Sequence, residues 1–219
     1  GVVIGVANGA LVGLLKLNSF IVTLGGLTAL QGATLLYTGG KYSAIAKPDG
    51  TWYAFVGRGF VFGIPAPVII FVVLAAVFAF VLTRTVYGRR LLAVGGNRIA
   101  TRYSGIRDTR MIFSVFVISG LSVAMAGIIL GSRLMAAHNY VGQGYELQVI
   151  AAVILGGTSL LGGSGSIFRT VIGVLMLGFI NNGLVMLGFA YYYQWLVTWF
   201  ILVGAVWFDI YFKRRALSR

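Results

Sequence analysis

Seven stretches of 15 to 23 residues, almost free of charge, divide this sequence and decide most of what it can fold into. They are 1–15, 20–37, 66–82, 111–131, 147–161, 167–189 and 195–212, and only Arg169 and Asp209 carry charge within them. A hydrocarbon core of about 30 Å is crossed by about 20 apolar residues in α-helix. The pattern therefore predicts an all-α, polytopic membrane helix bundle with about seven spans, built as one transmembrane domain over 1–219. Composition agrees, with 59% hydrophobic and 10% charged residues, where soluble domains average about 25% charged. Glycine accounts for 32 of the 219 residues. In a membrane small residues let helix backbones approach closely, and Gly1, Gly5, Gly9 and Gly13 recur every four residues as a ridge on one helix face. The first run is already under way at Gly1, with no basic leader, so no signal peptide is read and further spans are expected ahead of it.

Charge orders the runs. A basic island at 84–110 holds Arg84, Arg89, Arg90, Arg98, Arg102, Arg107 and Arg110 against the single acid Asp108. With this island placed in the cytoplasm, alternation brings Lys16, Arg169, Lys213, Arg214, Arg215 and Arg219 to the same side. Thirteen of the 17 basic residues then lie inside, and only Lys41, Lys47, Arg58 and Arg133 lie outside. Hydropathy and the positive-inside rule agree without adjustment, which predicts a cytoplasmic C-terminus. The same logic makes 39–65 an external segment. It mixes Lys41, Lys47, Asp49 and Arg58 with Trp52, Tyr53, Phe55, Phe60 and Phe62, as expected of an interfacial stretch with one short helix. Because the net charge of +13 is segregated by loop, membrane orientation accounts for it and no nucleic-acid partner is expected.

Catalysis is poorly provided for. Cysteine is absent, the acids are Asp49, Asp108, Glu146 and Asp209, and His138 is the single histidine. No thiolate or histidine cluster suits a metal, and no nucleophile–base pair is in sight. The stretch GGTSLLGGSGS at 156–166 looks superficially like a phosphate loop. Such a loop needs a lysine to reach the phosphates, and none occurs between Lys47 and Lys213. The expectation is a chain with no catalytic residues, no metal and no cofactor of its own. Ion-coupled transport is weakened too, since such proteins bury ionisable groups in their spans.

The spans do carry neutral amides: Asn8, Gln31, Gln148, Asn181 and Asn182. Together they suit a path for a neutral polar solute; singly, each also suits a hydrogen bond between helices. The run 147–161 is short and ends in glycines, as a broken helix beside a pathway does. One echo joins the two ends of the chain, GVANGALV at 5–12 and GFINNGLV at 178–185. Their expected opposite directions would make an inverted repeat.

Within the basic island, Asn97 is a good N-cap and Gly105 a good C′ residue, which predicts a two-turn helix over 98–104. Arg98, Thr101 and Arg102 share one face; Ile99, Tyr103 and Ile106 share another. A helix so short needs support. A groove in a partner protein, the chain's own helix bundle and lipid headgroups all remain open as what it meets.

Three blocks carry a family resemblance. LAVGGNRIATRYSGI at 92–106, NSFIVTLGGLTALQGATLLYTGG at 18–40 and the stretch 142–184, GQGYELQVIAAVILGGTSLLGGSGSIFRTVIGVLMLGFINNGL, occur in order over nearly the whole chain. They resemble the bacterial sugar-type ATP-binding-cassette (ABC) importer permeases of the ribose, xylose and galactoside group. The resemblance implies a transmembrane subunit in the bacterial cytoplasmic membrane that imports a sugar or related polyol by alternating access. It further implies pairing with a second permease copy, identical or not, and hydrolysis of ATP with magnesium by a separate cytoplasmic ABC ATPase. A periplasmic sugar-binding protein would deliver the solute. It also gives Gly95, Gly96, Asn97, Arg98, Arg102, Ser104 and Gly105 the role of the coupling helix that seats in the ATPase. The sequence departs from the group at Arg98 and Arg102, where members commonly have acidic or neutral residues, so the basic helix is expected either to select its ATPase or to hold lipid phosphates. A passive facilitator for small neutral solutes is the competing reading; a membrane-embedded enzyme lacks a constellation to work with.

Overall fold

Helix takes up every apolar run. The computed structural model describes residues 1–45, 51–159 and 162–217; Lys47, Asp49 and Arg219, together with two leucines of the glycine-rich stretch, lie outside the described residues. In chain order the helices are α1 Val2–Gly9, α2 Ser19–Thr38, α3 Trp52–Arg58, α4 Ala66–Arg84, α5 Val86–Gly96, α6 Arg98–Tyr103, α7 Asp108–Leu134, α8 Tyr145–Leu155, α9 Ile167–Met186 and α10 Tyr191–Leu217. Four of them, α2, α4, α7 and α9, are long and apolar enough to cross a membrane. The runs 1–15 and 147–161 become shorter apolar helices, Val2–Leu14 and Tyr145–Leu155. Among the described residues, four two-residue strands form two small antiparallel pairs. The chain divides into two compact units, Gly1–Leu74 with Ile99–Val141, and Ala75–Arg98 with Gly142–Arg219.

In the first unit the glycine ridge does what its spacing predicts. A Cβ on Gly5 would stand 2.5 Å from the Phe116 carbonyl oxygen; on Gly9, 3.1 Å from that of Phe113; on Gly13, 3.2 Å from that of Thr109. Each step of four along α1 thus moves about four residues back along α7, so the two helices run antiparallel with backbones in contact. After α1 the chain makes one π turn, Ala10–Leu14, and breaks. Asn18 restarts it by accepting hydrogen bonds from the Phe20 and Ile21 amides at 2.9 and 3.4 Å, the ordinary work of an N-cap.

The 39–65 segment contains the one short helix expected, α3, followed by a tight hairpin. Strands β2 (Phe60–Val61) and β3 (Ile64–Pro65) pair across Phe62 and Gly63, whose φ values of 52° and 80° are those of a primed hairpin turn. Helix α3 sits on the C-terminal end of α7. The Ser132 hydroxyl donates to the Tyr53 carbonyl, and Arg58 Nε donates to the Arg133 carbonyl at 3.1 Å. Strand β1 (Ser43–Ala44) pairs with β4 (Ala136–Ala137), and Asn139 Nδ2 donates to Thr38 Oγ1 at 2.8 Å. Arg58 and Arg133, the two described arginines expected outside, are therefore joined at one end of this unit.

The second unit packs α8, α9 and α10 around Ala151, Ala152 and Leu177, with Leu155, Ile201 and Leu202 against them. Thr85 separates α4 from α5. Its backbone is extended, its hydroxyl donates to the Val81 carbonyl at 2.6 Å, and the same oxygen accepts from the Gly88 amide at 3.2 Å. One side chain thus ends one helix and caps the next. At 11 residues α8 reaches about 16 Å before Gly156 and Gly157 turn the chain, which matches the short, glycine-terminated run in the sequence.

Candidate functional site

The basic island folds into α5, α6 and the start of α7, and the cut between the two compact units falls within it, between Arg98 and Ile99. Each part is therefore taken with its own unit.

In the first unit, α6 ends as the sequence predicts. Gly105 has φ +78°. Its amide donates to the Arg102 carbonyl at 3.0 Å, and the Ile106 amide donates to the Thr101 carbonyl at 3.0 Å. These two bonds make a Schellman motif. The Ser104 hydroxyl donates back to the Ala100 carbonyl at 3.1 Å. The faces sort differently from a simple cationic-versus-apolar division. Thr101 is the buried residue, at 7% exposure, while Ile99 and Tyr103 stand 69% and 90% exposed. The apolar residues of α6 are thus as open as its arginines, and the helix rests on Thr101.

Arg102 is already engaged. Its Nη2 lies 2.7 Å from Asp108 Oδ2, with the carboxylate side chain 6% exposed and the arginine 51%. The Asp108 hydrogen bond, and then its negative charge, push the Arg102 guanidinium above its ordinary value. Asp108 opens α7, where the helix N-terminus also favours an anion. The one acid in the island therefore locks the end of α6 onto the start of α7. Reading the sequence by helix faces missed this pair because its members are six apart, across the turn that Gly105 makes.

In the second unit, Gly95 and Gly96 end α5, and Asn97 follows in extended conformation. They lie against the glycine-rich stretch: a Cβ on Gly95 would stand 2.8 Å from the Gly163 amide nitrogen. The sequence flagged both segments and gave no reason to place them together.

The five amides divide between the units. In the first, Asn8 is half-buried, and a Cβ on Gly26 would stand 3.5 Å from its Oδ1, so its amide rests against the backbone of α2. Gln31, also half-buried, lies on α2. In the second, Gln148 lines a cavity of about 270 Å3 with Trp195, Thr198 and Trp199. Asn181 has its Oδ1 buried with no hydrogen-bond partner, as does the Thr198 hydroxyl. Asn182 makes a long contact with the Met186 sulfur at 3.9 Å. Gln148 thus lines a cavity, and its companions there, two tryptophans and a threonine on α10, share no motif with it. Among the described residues no group of three His, Cys, Asp or Glu could hold a metal ion.

Comparison with known proteins supplies the family. Residues 1–206 match the family described as branched-chain amino acid transport system / permease component. The chain is 40% identical over 218 residues to the ribose import permease of Haemophilus influenzae, covering 99% of this chain and 68% of that protein. It is 44% identical over 204 residues to the ribose import permease of Bacillus subtilis, covering 92% and 62%. Against the L-arabinose transport system permease of Escherichia coli it is 39% identical over 209 residues, covering 95% and 62%. The chain thus spans about two thirds of the length of these relatives. No solved structure matches it. On the match to nearly its whole length, the chain belongs to the family of branched-chain amino acid transport system permease components.

Proposed function

We propose that this chain is the membrane-spanning core of a bacterial ABC importer for a sugar or related polyol. The observation that carries the proposal is the combination of three relatives, 39–44% identical over at least 92% of this chain and named as ribose or arabinose permeases, with an exposed apolar face on a Schellman-capped two-turn helix. Ile99 and Tyr103 form the seat for a cytoplasmic ATPase, flanked by Arg98 and supported beneath by Thr101. ATP and magnesium act on that partner. A periplasmic binding protein delivers the solute, and a second permease copy completes the pathway in the cytoplasmic membrane. The proposal carries all seven apolar runs as crossings, with 84–110 and the C-terminus in the cytoplasm, and treats the 5–12 and 178–185 echo as the trace of an inverted repeat. Gln148, in its aromatic cavity, is the amide best placed to meet a solute; Asn8 acts more as packing between α1 and α2.

The test is capture of the ATPase by the purified full-length permease. Burying an exposed isoleucine or aromatic side chain contributes about 1.5–3 kcal/mol. Replacing both Ile99 and Tyr103 with serine therefore removes about 3 kcal/mol of contact and weakens capture about a hundredfold, with membrane insertion unchanged. Capture at parental strength by the double variant refutes the seat. A parent chain that brings down no ATPase favours a passive facilitator.

A further inference from the structure

We propose that the glycine-rich stretch after α8 is a mechanical seat for the end of α5, and that Gly95, Gly162 and Gly163 are positioning residues handing displacement of the 84–110 loop to the α8–α9 pair. The inference rests on the reading of that loop as an ATPase seat and gives its motion a destination. Three contacts carry it, all within the second unit. A Cβ on Gly95 would stand 2.8 Å from the Gly163 nitrogen; on Gly162, 2.6 Å from the Gly95 carbonyl oxygen; on Gly163, 2.7 Å from the Gly96 Cα. Each obstructing atom is backbone, and real Cβ atoms do not come closer than about 3.0 Å. Gly162 and Gly163 have φ values of +90° and +77°, so their backbone as well as their bulk excludes a side chain.

Contact of this kind has a mechanical consequence. Where side chains separate two segments, rotamer changes absorb small movements. Where backbone touches backbone, one segment cannot advance without the other. The stretch is in turn tied to the helices on either side of it. The Ser159 amide donates to the Ser164 carbonyl at 3.1 Å, and the Thr158 and Thr170 hydroxyls lie 3.3 Å apart. A Cβ on Gly156 would stand 2.5 Å from the Arg169 carbonyl oxygen, and one on Gly173, 2.8 Å from the Gly156 nitrogen. The end of α8 and the start of α9 are thus held together by the same close approach. The linked order is α5, the 162–163 turn, α9 and α8, the helix that carries Gln148. Physical continuity through packed elements is what coupling between distant sites requires.

The experiment compares Gly95→Ala with Gly178→Ala in the complete importer reconstituted in vesicles. Both positions lie in helices of the second unit, α5 and α9, and the exchange favours helix at both. At Gly95 the added Cβ meets the Gly163 backbone at 2.8 Å; at Gly178 it meets nothing within 4 Å. Expected for Gly95→Ala is parental capture of the ATPase with solute imported per ATP about tenfold lower; Gly178→Ala imports within about twofold of the parent. Gly163→Ala is the second variant, expected to behave as Gly95→Ala. Import per ATP at Gly95→Ala equal to that at Gly178→Ala overturns the relay. So does loss of ATPase capture confined to Gly95→Ala, which would make Gly95 part of the seat itself. Failure of both Gly95→Ala and Gly163→Ala to reach the membrane assigns the contact to folding and likewise overturns it. Failure of the parent chain to capture an ATPase sinks the functional reading instead, and is read in a separate arm.

Discussion

The contact between α1 and α7 makes a prediction whose sign differs between two otherwise equivalent glycines. Alanine is favoured over glycine inside a helix by about 1 kcal/mol, so Gly→Ala should stabilise wherever the new methyl has room. Gly25, within α2, has nothing within 4 Å of its Cβ position. Gly5, within α1, would place its Cβ 2.5 Å from the Phe116 carbonyl oxygen and 3.2 Å from the Cα atoms of Val117 and Gly120. Restoring an ordinary contact of 3.4 Å requires α1 and α7 to part by the difference, 0.9 Å. Because Gly9 and Gly13 press on the same helix, that parting also loosens their contacts. Overpacking of this kind destabilises by about 1–3 kcal/mol. Gly25→Ala should therefore raise the melting temperature of the purified permease, and Gly5→Ala should lie below it by about 1–3 kcal/mol, or about 4–8 °C at the middle of that range. The assay is thermal unfolding in one detergent at one protein concentration. A second substitution, Gly120→Ala, presses from the opposite side, its Cβ 2.9 Å from the Gly5 Cα. It should be non-additive with Gly5→Ala, because one separation of the helices relieves both. If Gly5→Ala and Gly25→Ala melt together, the ridge is not a backbone contact and the reasoning fails.

Two further outcomes follow from the end of α6. Arg102→Gln strips the buried Asp108 carboxylate of its guanidinium, and removing one partner of such a pair is destabilising; α6 should become more open to tryptic cleavage at Arg98, with Arg102→Lys intermediate. Protection equal to the parent's would show that the pair does not hold α6 in place. Gly105→Ala forces a side chain into a left-handed residue at about 1–2 kcal/mol, so ATPase capture should weaken about tenfold, with Gly105→Asn milder because asparagine tolerates that conformation.

Length and hydropathy made the helices legible, because an apolar run of span length has little choice of structure where no water can satisfy its backbone. The predicted run 20–37 became Ser19–Thr38 and 66–82 became Ala66–Arg84. Period-four glycine was equally readable, since the same spacing that puts Gly5 and Gly9 on one face obliges that face to meet another backbone. The end of α6 was legible because Gly105 leaves a left-handed turn little alternative. What sequence could not supply was partnership across distance. Nothing in a lone Asp108 says that it belongs to Arg102 rather than to one of the six other arginines around it. Nothing in two glycine pairs, at 95–96 and 162–163, says that one is the seat of the other.

That asymmetry bears on how the basic island should be understood. On the proposed topology its charge follows the positive-inside rule, and charge alone cannot separate a loop that touches lipid from one that touches protein. Its architecture separates them better. A lipid-binding loop needs cations free to spread over phosphates, whereas here Arg102 is committed to an internal carboxylate at 2.7 Å. Ile99 and Tyr103 are turned outward on α6 beside the exposed Arg98 and Arg102. A headgroup layer rewards exposed charge, while a protein groove rewards exposed apolar side chains with a fixed backbone behind them. The Schellman cap, the Arg102–Asp108 pair and the buried Thr101 all fix that backbone. On the proposed reading the island is basic because of the side of the membrane it faces, and it docks through its few non-basic residues.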